Sequence, residues 1–160
     1  MKTVKSYKGP GAATRNAMFM NAIGILCAVA IIVLFFNTGL GKIINHDVFT
    51  IQMKKQPLPI WSKPILVYIL PILELGTVFL LCTARTRLVG FALATTLLIS
   101  YTIYAYLAYI EFYGYVICAC GKIFQNMGWR DHFYVNLIFT VLTMVGTCLT
   151  FKRSRRHSFK

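Results

Sequence analysis

The chain has 160 residues, 58% of them hydrophobic, and a formal net charge of +13 from 17 Lys and Arg against 4 acids. With a mean hydropathy of +0.66, this exceeds the roughly 45–50% apolar content of soluble domains and favours membrane spans over a large soluble core. The basic residues flank apolar runs and form no aromatic-basic patch, which argues against a nucleic-acid reader and for contact with lipid headgroups.

Residues 1–16 form a basic N-terminal stretch with Lys2, Lys5, Lys8 and Arg15. The first span, Asn16–Gly41, is uncharged and densest over Ala17–Phe36. Its run is longer than a usual signal-peptide core and no A-x-A-like site follows, so a retained helix is expected. The glycines of Asn37-Thr38-Gly39-Leu40-Gly41-Lys42 are expected to end it and to open an outer connector reaching Lys63. Within that connector, Asn45 as a cap, Asp47 in the first turn and Lys54 and Lys55 in the last predict a short helix, stopped by Pro57 and Pro59. Val48, Phe49, Ile51 and Met53 are expected against the headgroup boundary.

The second span, Pro64–Cys82, carries a single charge, Glu74. An ionisable group at that depth is a functional-site hypothesis. Two readings stand: a protonated acid that serves a quinone or relays a proton, or a carboxyl that ties helices together through Asn21, Asn136 or a tyrosine hydroxyl. Pro71 is expected to kink the helix and free a carbonyl. The third span, Leu88–Ile110, is uncharged and ends among Tyr101, Tyr104, Tyr106, Tyr109 and Tyr113, read as an interfacial aromatic belt.

The next connector holds Cys118-Ala119-Cys120-Gly121-Lys122. Trp129-Arg130-Asp131-His132 then reads as the start of a fourth span, Phe133–Phe151, with Asp131 complementing the helix dipole and His132 capping at the interface. Residues 152–160 form a basic tail. Most basic residues lie in the N-terminus, the Arg85–Arg87 connector and the tail, whereas Asp47, Glu111 and Asp131 lie on the opposite side. The positive-inside rule therefore predicts both termini in the cytoplasm. In a bacterial inner membrane the cysteine connector then faces a disulfide-permissive space. Cys27, Cys82 and Cys148 lie in or at the ends of apolar runs, away from it.

A disulfide across one intervening residue closes a small, constrained ring and is comparatively reducible. Lys122 would favour a thiolate at one of the pair. Redox exchange, a static bridge and idle thiols all fit this spacing. A metal fits least, because His132 would be a third ligand and no fourth stands out.

Taken together, Gly39-Leu40-Gly41-Lys42, Pro71-x-x-Glu74, Thr83-Ala84-Arg85-Thr86-Arg87 and Cys118-Ala119-Cys120-Gly121 resemble the DoxX-like superfamily, and within it the MauE-type proteins, over residues 17–151. The resemblance implies disulfide supply or reshuffling in the periplasm during maturation of methylamine dehydrogenase, alongside a thioredoxin-like partner. It also implies a link to quinol-linked oxidation, with quinone as a candidate cofactor. On it, Cys118 and Cys120 become the redox pair, and Lys42 and Glu74 match family positions. The chain departs from quinone-coupled disulfide oxidases in having no second cysteine pair on the outer side. The expectation is an all-α, polytopic four-helix membrane bundle acting as a thiol redox component. The alternative is a non-catalytic subunit that scaffolds an oxidase or a maturation complex; a transporter ranks third.

Overall fold

The computed structural model describes residues 12–114 and 128–158. Among these there are five helices and no strand: α1 (Ala12–Ile44), α2 (His46–Lys54), α3 (Ser62–Cys82), α4 (Arg87–Tyr109) and α5 (Trp129–Ser158). Four stretches, Met18–Ile44, Ser62–Cys82, Arg87–Tyr109 and Trp129–Lys152, are long and apolar enough to cross a membrane. Helix is the expected answer, since a lipid-exposed backbone must satisfy its own hydrogen bonds. The all-α four-span architecture expected from the sequence is the one observed.

The long helices close a ring in which α1 packs on α3 and α5, and α4 packs on α3 and α5. Ile31, Phe35, Leu81, Phe91, Ala94 and Leu98 fill its interior. Phe19, Leu26, Ile72, Phe79 and Ile138 point outward and are exposed. Such a surface suits a bilayer, where lipid tails replace water as the solvent of the outer face. Between α4 and α5, hydroxyl pairs add polar contacts: Thr102 and Thr140 lie 2.9 Å apart and Thr95 and Thr147 3.4 Å apart.

Helix α1 does not end at its glycines. It runs on to Ile44 and takes Lys42 with it, so the expected outer connector begins later than the glycines suggested. Gly39 serves packing instead: a Cβ there would meet the Glu74 Cβ and Leu75 Cγ at 3.2 Å, so its absence lets α1 approach α3. The short helix α2 forms where expected, with Asn45 at its N-cap. The Asn45 side chain reaches back, however, donating from Nδ2 to the Gly41 carbonyl at 2.9 Å. Nor does α2 lie wholly at the boundary. Phe49 and Met53 are buried against Val67 of α3, and only Val48 and Ile51 face outward.

The corners explain two stretches of sequence. After α3, Thr86 Oγ1 donates to the Leu80 carbonyl at 2.9 Å and Arg87 Nε to the Leu81 carbonyl at 3.3 Å, satisfying carbonyls that the helix end leaves open. After α4, the Glu111 N–H bonds to the Ala108 carbonyl and the Phe112 N–H to the Leu107 carbonyl. With Glu111 at φ 55, this is a Schellman-type stop with an acid where glycine is usual.

Gly146 on α5 is held by the tightest contact: a Cβ there would lie 2.3 Å from Cε1 of the buried Phe91 ring. Overpacking of this kind costs about 1–3 kcal/mol. Gly146→Ala is therefore expected to lower the thermal unfolding midpoint in detergent, and Phe91→Leu in the same chain to recover much of the loss.

Candidate functional site

At one end of the bundle the helices leave a cavity of about 230 Å³. Every wall comes from the same half of the molecule. The C-terminal part of α1 brings Leu34 to Lys42, α3 brings Leu66 to Glu74 from its N-terminal side, α4 brings Leu98 to Tyr104 near its C-terminus, and α5 brings His132 and Asn136 from its first turns. Phe49 and Met53 of α2 and the following Gln56 close it. The lining is mostly apolar, with a few converging polar groups, which is the usual make-up of a small-molecule site.

Its polar centre is an ion pair. Lys42 Nζ lies 2.5 Å from Glu74 Oε1, with the two side chains 5% and 0% exposed. Side chains on a helix lean toward its N-terminus, so Lys42, near the end of α1, points back into the bundle toward Glu74. Glu74 itself sits roughly 18 Å along α3 from Ser62, at about 1.5 Å per residue. The Tyr101 hydroxyl donates to the same Oε1 at 2.8 Å. This carboxylate therefore joins α1, α3 and α4. The ammonium also lies 5.7 Å from the centre of the Tyr101 ring and 5.8 Å from that of Phe49, within cation–π range. Among the described residues, Glu74 Oε2 is buried and has no hydrogen-bond partner.

Tyr104, one turn beyond Tyr101, donates its hydroxyl to Gln56 Oε1. Its ring packs against Tyr113 at 6.4 Å and against Trp129 at 6.1 Å, measured between centroids. Trp129 in turn lies edge-on to the His132 ring at 5.8 Å. Tyr113 and Trp129, which stand on either side of residues 115–127 in the sequence, thus both pack on Tyr104 of the cavity wall.

The sequence expectations divide accordingly. Glu74 faces the interior as anticipated and takes a tyrosine hydroxyl, that of Tyr101, as one of the partners expected for it; its other partner, the Lys42 ammonium, was not expected. Lys42, assigned by the sequence to an outer connector, is a buried cavity residue. The signal for it was the lone acid of the second span, which calls for a counter-charge. His132 is buried in the cavity wall, where the sequence suggested an interfacial cap. Tyr101 and Tyr104 turn inward while Tyr106 and Tyr109 are exposed, so the tyrosine cluster is not one belt. Cys118, Cys120 and Lys122 lie outside the described residues. Cys27, Cys82 and Cys148 are free thiols, and neither Cys82, at the far end of α3, nor Cys148, toward the far end of α5, is near the cavity.

A family model described as Methylamine utilisation protein MauE matches residues 20–149, and the chain belongs to that family. No curated protein and no solved structure shows significant similarity to it.

Removing one member of a buried ion pair costs about 3–5 kcal/mol, because the other charge is left without compensation. Lys42→Met and Glu74→Gln are each expected to destabilise the protein on that scale, measured as the unfolding midpoint in a detergent titration. The double variant removes both charges and is expected to be more stable than either single one. Tyr101→Phe loses one hydrogen bond to a charged group, about 1.5–3 kcal/mol.

Proposed function

We propose that this MauE-family membrane protein is a thiol redox component that forms or transfers disulfides in a secreted partner, with Cys118 and Cys120 as the exchanging pair. It sits in a bacterial inner membrane with both termini in the cytoplasm, so that residues 115–127 face the periplasm. The charge pattern supports this orientation. Taking Lys42 into the bundle removes one positive charge from the side assigned as outer, which sharpens the asymmetry behind the positive-inside argument.

The observation that carries the proposal is the packing of Tyr113 and Trp129 on Tyr104. It sets described residues on either side of the cysteine-bearing connector against the wall of the polar cavity, at the opposite end of α3 from Cys82. In the forward reaction a partner dithiol, one sulfur attacking as the thiolate and both protons passing to the departing sulfurs, opens the Cys118–Cys120 disulfide through a mixed disulfide. The partner then closes its own S–S bond, and Cys118 and Cys120 emerge as thiols carrying two electrons and two protons. Lys122 lowers the cost of the departing thiolate. Glu74, held by Lys42 and Tyr101, anchors the polar site inside the membrane. The partner class is a thioredoxin-like or disulfide-rich periplasmic protein. The family description itself names methylamine utilisation.

The same ion pair also fits a scaffold, since it joins α1, α3 and α4. Thiol trapping in intact cells separates the two. With a membrane-impermeant maleimide, the connector is expected to hold both oxidised and reduced chains. Cys118→Ser or Cys120→Ser should accumulate a mixed disulfide with a partner, visible as a reductant-sensitive band shift. A pair that stays wholly oxidised, with variants that trap nothing, supports the scaffold and sinks the redox reading. Labelling only after permeabilisation overturns the orientation.

A further inference from the structure

We infer that the end of the bundle opposite the cavity carries a site for one two-phosphate lipid of the diphosphatidylglycerol class. Arg85 and Arg87 at the corner between α3 and α4, with Lys152 on α5, hold its phosphates. The site goes beyond the thiol reading and does not depend on it.

Packing brings the three cations to one level. Thr95 and Thr147 lie 3.4 Å apart and Thr102 and Thr140 2.9 Å apart, so α4 and α5 run antiparallel. Phe91 faces Gly146 in the same register. One turn further toward this end, Arg87 is level with Thr150. Lys152 lies about 3 Å beyond, at the level of the α3–α4 corner. Packed helices stand about 8–10 Å apart, a gap that arginine and lysine side chains can bridge around one headgroup.

The corner is held firmly. Arg87 Nε donates to the Leu81 carbonyl at 3.3 Å and Thr86 Oγ1 to the Leu80 carbonyl at 2.9 Å. A Cβ on Gly90 would lie 3.0 Å from the Leu81 nitrogen, so α4 starts hard against the end of α3. A guanidinium has five donors, and capping a carbonyl uses one nitrogen of Arg87. Arg85 and Lys152 are exposed. No carboxylate answers these charges. Asp47 and Asp131 lie in the first turns of α2 and α5, Glu111 follows α4, and Glu74 is paired with Lys42.

Any basic terminus is drawn to an anionic leaflet. Depth and shape single out this corner. The α3 span ends at Cys82, the α4 span starts at Arg87 and the α5 span ends at Lys152, so the cations sit where lipid phosphates sit. A soluble polyanion would meet them further out in water. Within one turn or so toward the membrane centre, Phe79, Val89 and Cys148 are exposed and offer an apolar wall to acyl chains. A head with one phosphate leaves two of the three cations unanswered, whereas two phosphates nearly balance them.

Native mass spectrometry of the delipidated full-length protein in a neutral detergent, titrated with cardiolipin, tests the inference. One saturable adduct is expected. Arg85→Gln/Lys152→Gln, which spares the Arg87 cap, is expected to keep the wild-type melting temperature without lipid and to weaken binding about tenfold or more, the effect of removing two cations from a phosphate site. Lys54→Gln/Lys55→Gln removes the same charge at the other end and is expected to leave the affinity unchanged. Absence of a saturable adduct overturns the inference, as does an equal loss in the two double variants or a loss in neither. Phosphatidylglycerol binding as tightly at equal phosphate overturns the two-phosphate head. Pyrophosphate or a short oligonucleotide binding as tightly overturns the lipid as its source.

Discussion

Burying Lys42 against Glu74 is the constraint from which the rest of the bundle follows. Either charge alone inside a membrane would be costly, so the two must meet. Meeting requires α1 and α3 to run close together, and Gly39 provides the gap, since even a methyl group there would press on Glu74 and Leu75. Gly39 and Lys42 lie three residues apart on one face of α1, as Pro71 and Glu74 do on α3. These two short motifs are therefore the two halves of one contact. Tyr101 then brings in α4 by donating to the same oxygen.

Much of the fold was legible from charge and hydropathy, because spans obey a simple rule of length and solvent. The errors cluster where a rule learned in water was carried into lipid. Gly39 and Gly41 read as a helix stop, since glycine weakens helices. Where the alternative to a helical hydrogen bond is an unmade one, that preference loses and α1 continues. Lys42 was misplaced for the same reason: a lysine after an apolar run looks like an interfacial charge, and its partner lies 32 residues further on. Phe49 and Met53 followed, because their burial depends on α2 folding back over α3, a tertiary fact that no local pattern carries.

The candidate site was half legible. Glu74 stood out as a lone charge in an apolar span. His132 and Tyr104 did not, because each belongs to a group whose other members face lipid or water; a tyrosine hydroxyl was expected on Glu74, but composition did not single out Tyr101. On α4 the inward residues Tyr101 and Tyr104 are separated by one turn, whereas Tyr106 and Tyr109 fall on the opposite face. Composition counts them together; the helical period sorts them. The same period sets His132 and Asn136 one turn apart on α5, both buried and both lining the cavity.

What remains is why the bundle keeps charges at all. Well-packed apolar residues of similar volume generally hold helices as firmly as a buried ion pair, and often more firmly. As glue, the Lys42–Glu74 pair is a poor choice, and a pair with one carboxylate oxygen left unpartnered is a poorer one. The walls around it are not tightly filled either, for the cavity adjoins the pair instead of lying elsewhere in the core. An unfilled volume beside an incompletely satisfied ion pair gains nothing for stability. It does fit a site whose last hydrogen bonds are made by a molecule that comes and goes, in a cavity whose wall residue Tyr104 carries both Tyr113 and Trp129.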